Sequence, residues 1–118
     1  MSGCLMAGAL MLSISGPFTL SWTHSVERTG WEETWDLTSA GLVAREARVR
    51  GSGAGMDPGD GARLVDGWWV WTPTLPPQTD LTLAASGATV SGWRLCADGT
   101  CHDLGTVASD PIRIRPCP

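Results

Sequence analysis

The sequence predicts an all-β domain, a small antiparallel barrel or sandwich of about seven or eight short strands. Apolar and polar residues alternate with a period of two through several runs. Fifteen glycines and eight prolines punctuate those runs, and Asp98-Gly99 is a two-residue hairpin signal. A chain of 118 residues is large enough for one sizeable core and too small for two independent ones, so residues 1–118 are read as a single β domain.

The first apolar run, Cys4 to Leu12, falls short of the roughly 20 apolar residues a bilayer requires, so no membrane insertion is expected. It lacks the basic segment of a secretory leader and reads as an N-terminal strand, which favours a cytoplasmic location. Ser2-Gly3-Cys4 resembles the end of a lipoprotein processing site, and a true start further upstream would make the protein periplasmic instead.

From Phe18 to Glu27, Phe18, Leu20, Trp22, His24 and Val26 share one face and Thr19, Ser21, Thr23, Ser25 and Glu27 the other. The next run places Trp31, Glu33, Trp35 and Leu37 together, opposite Glu32, Thr34 and Asp36. With the turn at Arg28-Thr29-Gly30, pairing Val26 with Trp31 keeps the apolar faces matched. That register sets Trp22 beside Trp35, Leu20 beside Leu37 and His24 beside Glu33.

Leu42 to Arg50 reads as a strand on Val43, Ala47 and Val49, against a short helix suggested by Glu46 and Arg50 at i,i+4. Five glycines between Gly51 and Ala62 make that stretch a loop. Trp68 to Trp71 is a strand stopped by Pro73, Pro76 and Pro77, and Leu81 to Ser86 and Val90 to Cys96 supply two more. Centring a turn on Asp98-Gly99 sets Ala97 opposite Thr100 and Cys96 opposite Cys101. Pro111 to Arg115 reads as an edge strand, with Pro116-Cys117-Pro118 a loose tail.

Composition narrows the chemistry. Hydrophobic residues form 42% of the chain and charged residues only 17%, enough apolar surface to exclude global disorder. All eight basic residues are arginine. The absence of lysine excludes a Schiff-base lysine, a P-loop lysine and a lysine general base. A net charge of −4 with no basic stripe is a poor match for nucleic acid or an anionic membrane surface.

The run Phe-Thr-Leu-Ser-Trp-Thr-His-Ser-Val-Glu-Arg-Thr-Gly-Trp-Glu-Glu-Thr-Trp, the loop Arg-Gly-Ser-Gly-Ala-Gly-Met-Asp-Pro, the Gly-Trp-Trp segment and the Leu-Cys-x-x-Gly-x-Cys hairpin together resemble the bacterial family called domain of unknown function 1850. The resemblance runs from Cys4 to about Leu104. It implies an accessory or binding protein that keeps company with TRAP-type solute transporters of the TAXI class, contacting a transporter subunit or an organic solute. It implies no activity and no cofactor, and it assigns no site residues.

Three constellations are candidate sites. His24 and Glu33, on a face with Trp22 and Trp35, pair an imidazole with a carboxylate, an arrangement that can hold a tautomer, move a proton or begin a metal site. The bland alternative is a buried hydrogen bond sparing two polar groups a desolvation cost of about 2–7 kcal/mol each. The glycine-rich loop, through Ser52, Gly53, Gly55, Met56 and Asp57, can cradle an anion on its backbone N–H groups, although it has neither P-loop nor Rossmann spacing. Its bland reading is a structural loop that needs positive φ.

Cys96, Cys101 and His102, with Cys4 near, lack zinc-site spacing. Cys96 and Cys101 instead suit a cross-strand disulfide in an oxidising compartment and a reduced pair in the cytoplasm. Cys117 is left without a role. Trp68 must face away from Trp69 and Trp71, which places an indole where a ligand or partner can meet it unless both sheet faces are covered. The alternatives to an accessory protein are a small enzyme or metal- or anion-binding protein built on His24, Glu33 and the loop, and a structural domain with no small-molecule site.

Overall fold

The computed structural model describes residues 3–23, 30–50, 61–83, 92–105 and 110–117. They form eleven strands and, among the described residues, no helix. The strands are β1 (Gly3–Ala7), β2 (Leu10–Ile14), β3 (Phe18–Thr23), β4 (Gly30–Thr38), β5 (Gly41–Arg50), β6 (Arg63–Val65), β7 (Trp68–Trp71), β8 (Leu81–Leu83), β9 (Trp93–Ala97), β10 (Thr100–Leu104) and β11 (Ile112–Pro116). A four-stranded sheet runs β2-β1-β11-β8 and a seven-stranded sheet β10-β9-β3-β4-β5-β7-β6. Neither closes on itself, so the fold is a sandwich and not a barrel.

Between the sheets, Leu5, Ala7, Ile14, Leu83 and Ile114 of the smaller pack against Phe18, Leu20, Trp35, Leu42, Ala44 and Leu95 of the larger. Period-two alternation sends these residues inward, because successive side chains on a strand point to opposite faces. The outer faces carry ion pairs between neighbouring strands, such as Glu32–Arg48 at 2.9 Å and Arg94–Asp103 at 3.2 Å. Exposed pairs of this kind contribute about 0.2–1 kcal/mol each, so the core carries the stability.

The β3–β4 register departs from the one read in the sequence. Trp22 lies opposite Trp31, Leu20 opposite Glu33 and Phe18 opposite Trp35. Alternation fixes which face is buried but cannot distinguish two registers that differ by an even slide. The observed register brings Trp22 and Trp31 into cross-strand contact, their ring centres 5.6 Å apart, and on its other edge β3 pairs Leu20 with Leu95 and Phe18 with Ala97 of β9.

β5 is a strand, with Leu42, Ala44, Ala47 and Val49 inward. Thr34 pairs with Glu46 and Trp35 with Ala44, leaving Arg45 without a ladder partner. This bulge shifts the alternation by one residue, so Val43, expected inward with Ala47 and Val49, belongs to the opposite set. The short helix that Glu46 and Arg50 at i,i+4 suggested does not form.

The hairpin at Asp98-Gly99 forms as expected, with Ala97 opposite Thr100 and Cys96 opposite Cys101. Positive φ at both turn residues, 52° and 79°, matches the right-handed twist of the flanking strands. Cys96 and Cys101 are disulfide-bonded with Cα atoms 4.0 Å apart. The Asp98 carboxylate also accepts hydrogen bonds from the Ser15 backbone N–H at 3.0 Å and hydroxyl at 2.8 Å, tying this turn to the β2–β3 connection.

The chain's end is neither an edge strand nor loose. β11 lies inside the smaller sheet between β1 and β8, and Cys117 is disulfide-bonded to Cys4 across 113 residues of sequence. The Cys117 N–H also donates to the Cys4 carbonyl at 3.0 Å. Four cysteines thus form two pairs, leaving none free.

Beside Gly41 the larger sheet is bridged to the segment that leads into β8. Leu42 and Gln78 exchange backbone hydrogen bonds at 2.8 Å each, and a Cβ on Gly41, whose φ is 122°, would stand 2.6 Å from the Gln78 carbonyl oxygen. Gly41→Ala is therefore expected to lower stability by about 2–3 kcal/mol in urea denaturation. Gly61→Ala, with positive φ but no atom within 4 Å of its Cβ, should cost only about 1 kcal/mol. From the loops they close, replacing Cys4 and Cys117 by serine should cost about 5 kcal/mol, against about 2 kcal/mol for Cys96 and Cys101.

Candidate functional site

The inner face of the larger sheet has two parts. The smaller sheet packs on Phe18, Leu20, Trp35 and Leu95. Beyond them runs a band of half-buried tryptophans: Trp93 on β9, Trp22 on β3, Trp31 on β4, and Trp69 and Trp71 on β7. Trp22 lies 4.4 Å from Trp93 and 5.6 Å from Trp31, with the rings inclined at 48° and 34°. Trp31 meets Trp71 edge to face at 5.7 Å. Such contacts add about 0.5–1.5 kcal/mol per pair beyond area burial, so the band is a rigid wall.

Where the band meets the edge of the smaller sheet there is a groove of about 380 Å³. Its floor and one wall are Leu20, Trp22, Glu33, Trp35 and Trp93; the facing wall is Leu75, Gln78, Asp80 and β8. The Pro-rich segment before β8 shapes this second wall, and its backbone is anchored by the Leu42–Gln78 bridge.

Glu33 stands at the centre of the inner face, with Leu20 and Ala47 as ladder neighbours. One carboxylate oxygen accepts a hydrogen bond from the Trp35 indole N–H at 3.2 Å. Among the described residues no cation lies within ion-pair distance of it. Asp80, the groove's other carboxylate, is neutralised by Arg113, which donates at 3.0 Å from Nε and 2.6 Å from Nη2.

The groove brings together three of the residues singled out from sequence, Trp22, Glu33 and Trp35. His24 and the loop residues Ser52, Gly53, Gly55, Met56 and Asp57 lie outside the described residues. Trp68 is on the outer face, beneath Arg48 at 4.5 Å and Arg50 at 5.5 Å from its ring centre, a cation–π stack on the side away from the groove. His102 lines a separate hollow of about 190 Å³ with Leu12 and Asp98. Among the described residues no three metal-binding side chains gather.

Sequence reasoning passed over Trp93, Gln78 and Asp80. Trp93 carried a usable signal, because it alternates with Leu95 and Ala97 and so had to share their inner face. Gln78 and Asp80 follow a proline cluster with no periodicity and gave none.

Fold and site define an all-antiparallel β-sandwich with an aromatic groove at the edge of its smaller sheet. The model of the domain of unknown function DUF1850 matches residues 18–104, and the chain belongs to that family. The matched stretch holds every strand of the seven-stranded sheet together with β8; β1, β2 and β11 lie outside it. No curated protein and no solved structure matches the chain.

Trp35 and Glu33 are separable by substitution. Trp35, only 3% exposed, should cost about 3–5 kcal/mol when replaced by alanine. Glu33→Gln should change stability by less than about 1 kcal/mol, because an amide carbonyl accepts the same indole N–H. Urea denaturation followed by tryptophan emission measures both.

Proposed function

We propose that the chain is a non-enzymatic binding module whose tryptophan-lined groove takes a small organic solute, and that it serves as an accessory of a TRAP-type (TAXI) transporter. The observation that carries this reading is the groove itself. At about 380 Å³ it falls within the range of small-molecule sites, and it combines apolar and aromatic walls with a few convergent polar groups, Glu33, Gln78 and Thr82. Its walls are pre-organised by stacked indoles and a backbone bridge, which reduces the ordering cost of binding.

The transporter association rests on the family resemblance and the solute-sized groove together. Two disulfides and no free cysteine favour the oxidising side of the membrane over the cytoplasm, where thiols are held reduced. On that side a transporter accessory meets solute before it crosses.

Thermal-shift screening against organic acids, amines and neutral polyols is expected to yield a solute that raises the melting temperature and shifts tryptophan emission. Trp22→Ala and Trp93→Ala should each weaken it by about tenfold or more. Affinity capture from membranes of the native host should bring down a TAXI-class permease subunit. Capture without the permease, with no stabilising solute, would contradict the proposal.

A further inference from the structure

The geometry points to the class of solute: we infer that the groove selects a small organic cation with an alkylated ammonium head group, and that Glu33 supplies its counter-charge beside the paired indoles of Trp22 and Trp93. The inference rests on the groove-binding reading above and adds the ligand's chemistry to it.

Glu33 is the starting point. Asp36, Glu32, Asp103 and Asp80 each hold an arginine at 2.6–3.2 Å. Glu33 differs from them: it points into the aromatic band, and its partner among the described residues is the neutral Trp35 N–H. An ionised carboxylate has about four acceptor positions, so one indole bond leaves Glu33 capacity toward the groove. A half-buried charge on an apolar face is costly unless something of opposite sign meets it.

The walls suit such a partner. Indole is the best aromatic partner for a cation, and two inclined indoles, Trp22 and Trp93, line the groove with that carboxylate. An alkylated ammonium joins positive charge to an apolar surface, which matches a site that offers both. An organic acid would meet Glu33 as a like charge, and among the described residues lining the groove none is lysine, arginine or histidine. With Asp80 neutralised by Arg113, Glu33 sets the sign among the described residues of the groove.

The test is calorimetric titration with three probes of nearly one shape: choline, its uncharged isostere in which carbon replaces the quaternary nitrogen, and tert-butylacetate. Choline is expected to bind at least about tenfold more tightly than the isostere, with tert-butylacetate weakest. Glu33→Gln, which retains the Trp35 hydrogen bond and whose fold is checked by melting temperature, should bring choline and the isostere within about threefold of each other. Trp22→Ala should weaken choline by about tenfold. Equal or tighter binding of the isostere or the acid overturns the cation inference and leaves the groove-binding reading intact. Binding of choline by Glu33→Gln as tightly as by the native protein overturns the role of Glu33. Failure of all three probes overturns the cation inference, and the broader solute screen then decides the groove-binding reading separately.

Discussion

The antiparallel pairing of β11 with β1, closed by the Cys4–Cys117 disulfide, makes the smaller sheet one continuous layer, and the core, the aromatic band and the groove follow from how far that layer reaches over the larger sheet. Leu5, Ala7 and Ile114 come from these two strands and bury themselves on Phe18, Leu20 and Trp35. Among the described residues the four-stranded layer covers only part of the seven-stranded one, and the remainder of that inner face is finished by its own side chains. Large, rigid indoles do that over the uncovered part, because each shields much area at little rotamer cost.

This arrangement gives the groove its character. One wall is a sheet face whose side chains are fixed by cross-strand stacking; the other is a segment tied down by two backbone hydrogen bonds at Leu42 and Gln78. A carboxylate stands out there because its ladder neighbours are apolar. A hydrophobic residue at position 33 would pack between Leu20 and Ala47 without desolvating a charge. The Trp35 N–H fixes the position of Glu33, and the cation inferred above would give it a partner of opposite sign.

Much of the fold was legible in the sequence, because alternation reports directly on which face is buried. The inward sets Phe18-Leu20-Trp22 and Trp31-Glu33-Trp35, and the Asp98-Gly99 turn with its opposed cysteines, needed only local information. What local pattern could not settle was decided by other strands. The slide of β3 against β4 is one of two that alternation leaves equivalent, and the inward face of β5 depends on a bulge that alternation cannot anticipate. Cys117 pairs with a residue at the far end of the chain, a partner that no local pattern identified. The site was half legible. Three lining residues came from one hairpin, while the opposite wall came from a proline-rich stretch whose position is purely tertiary.

A crystal structure grown in the presence of choline tests the central claim most directly, since it reads where the ligand sits and not only whether it binds. The account predicts the ammonium group in the groove beside β8, within about 6 Å of the Trp22 and Trp93 rings and in contact with the Glu33 carboxylate. A groove filled by the chain's own side chains, or an ammonium group bound away from Glu33 and the two indoles, would contradict it.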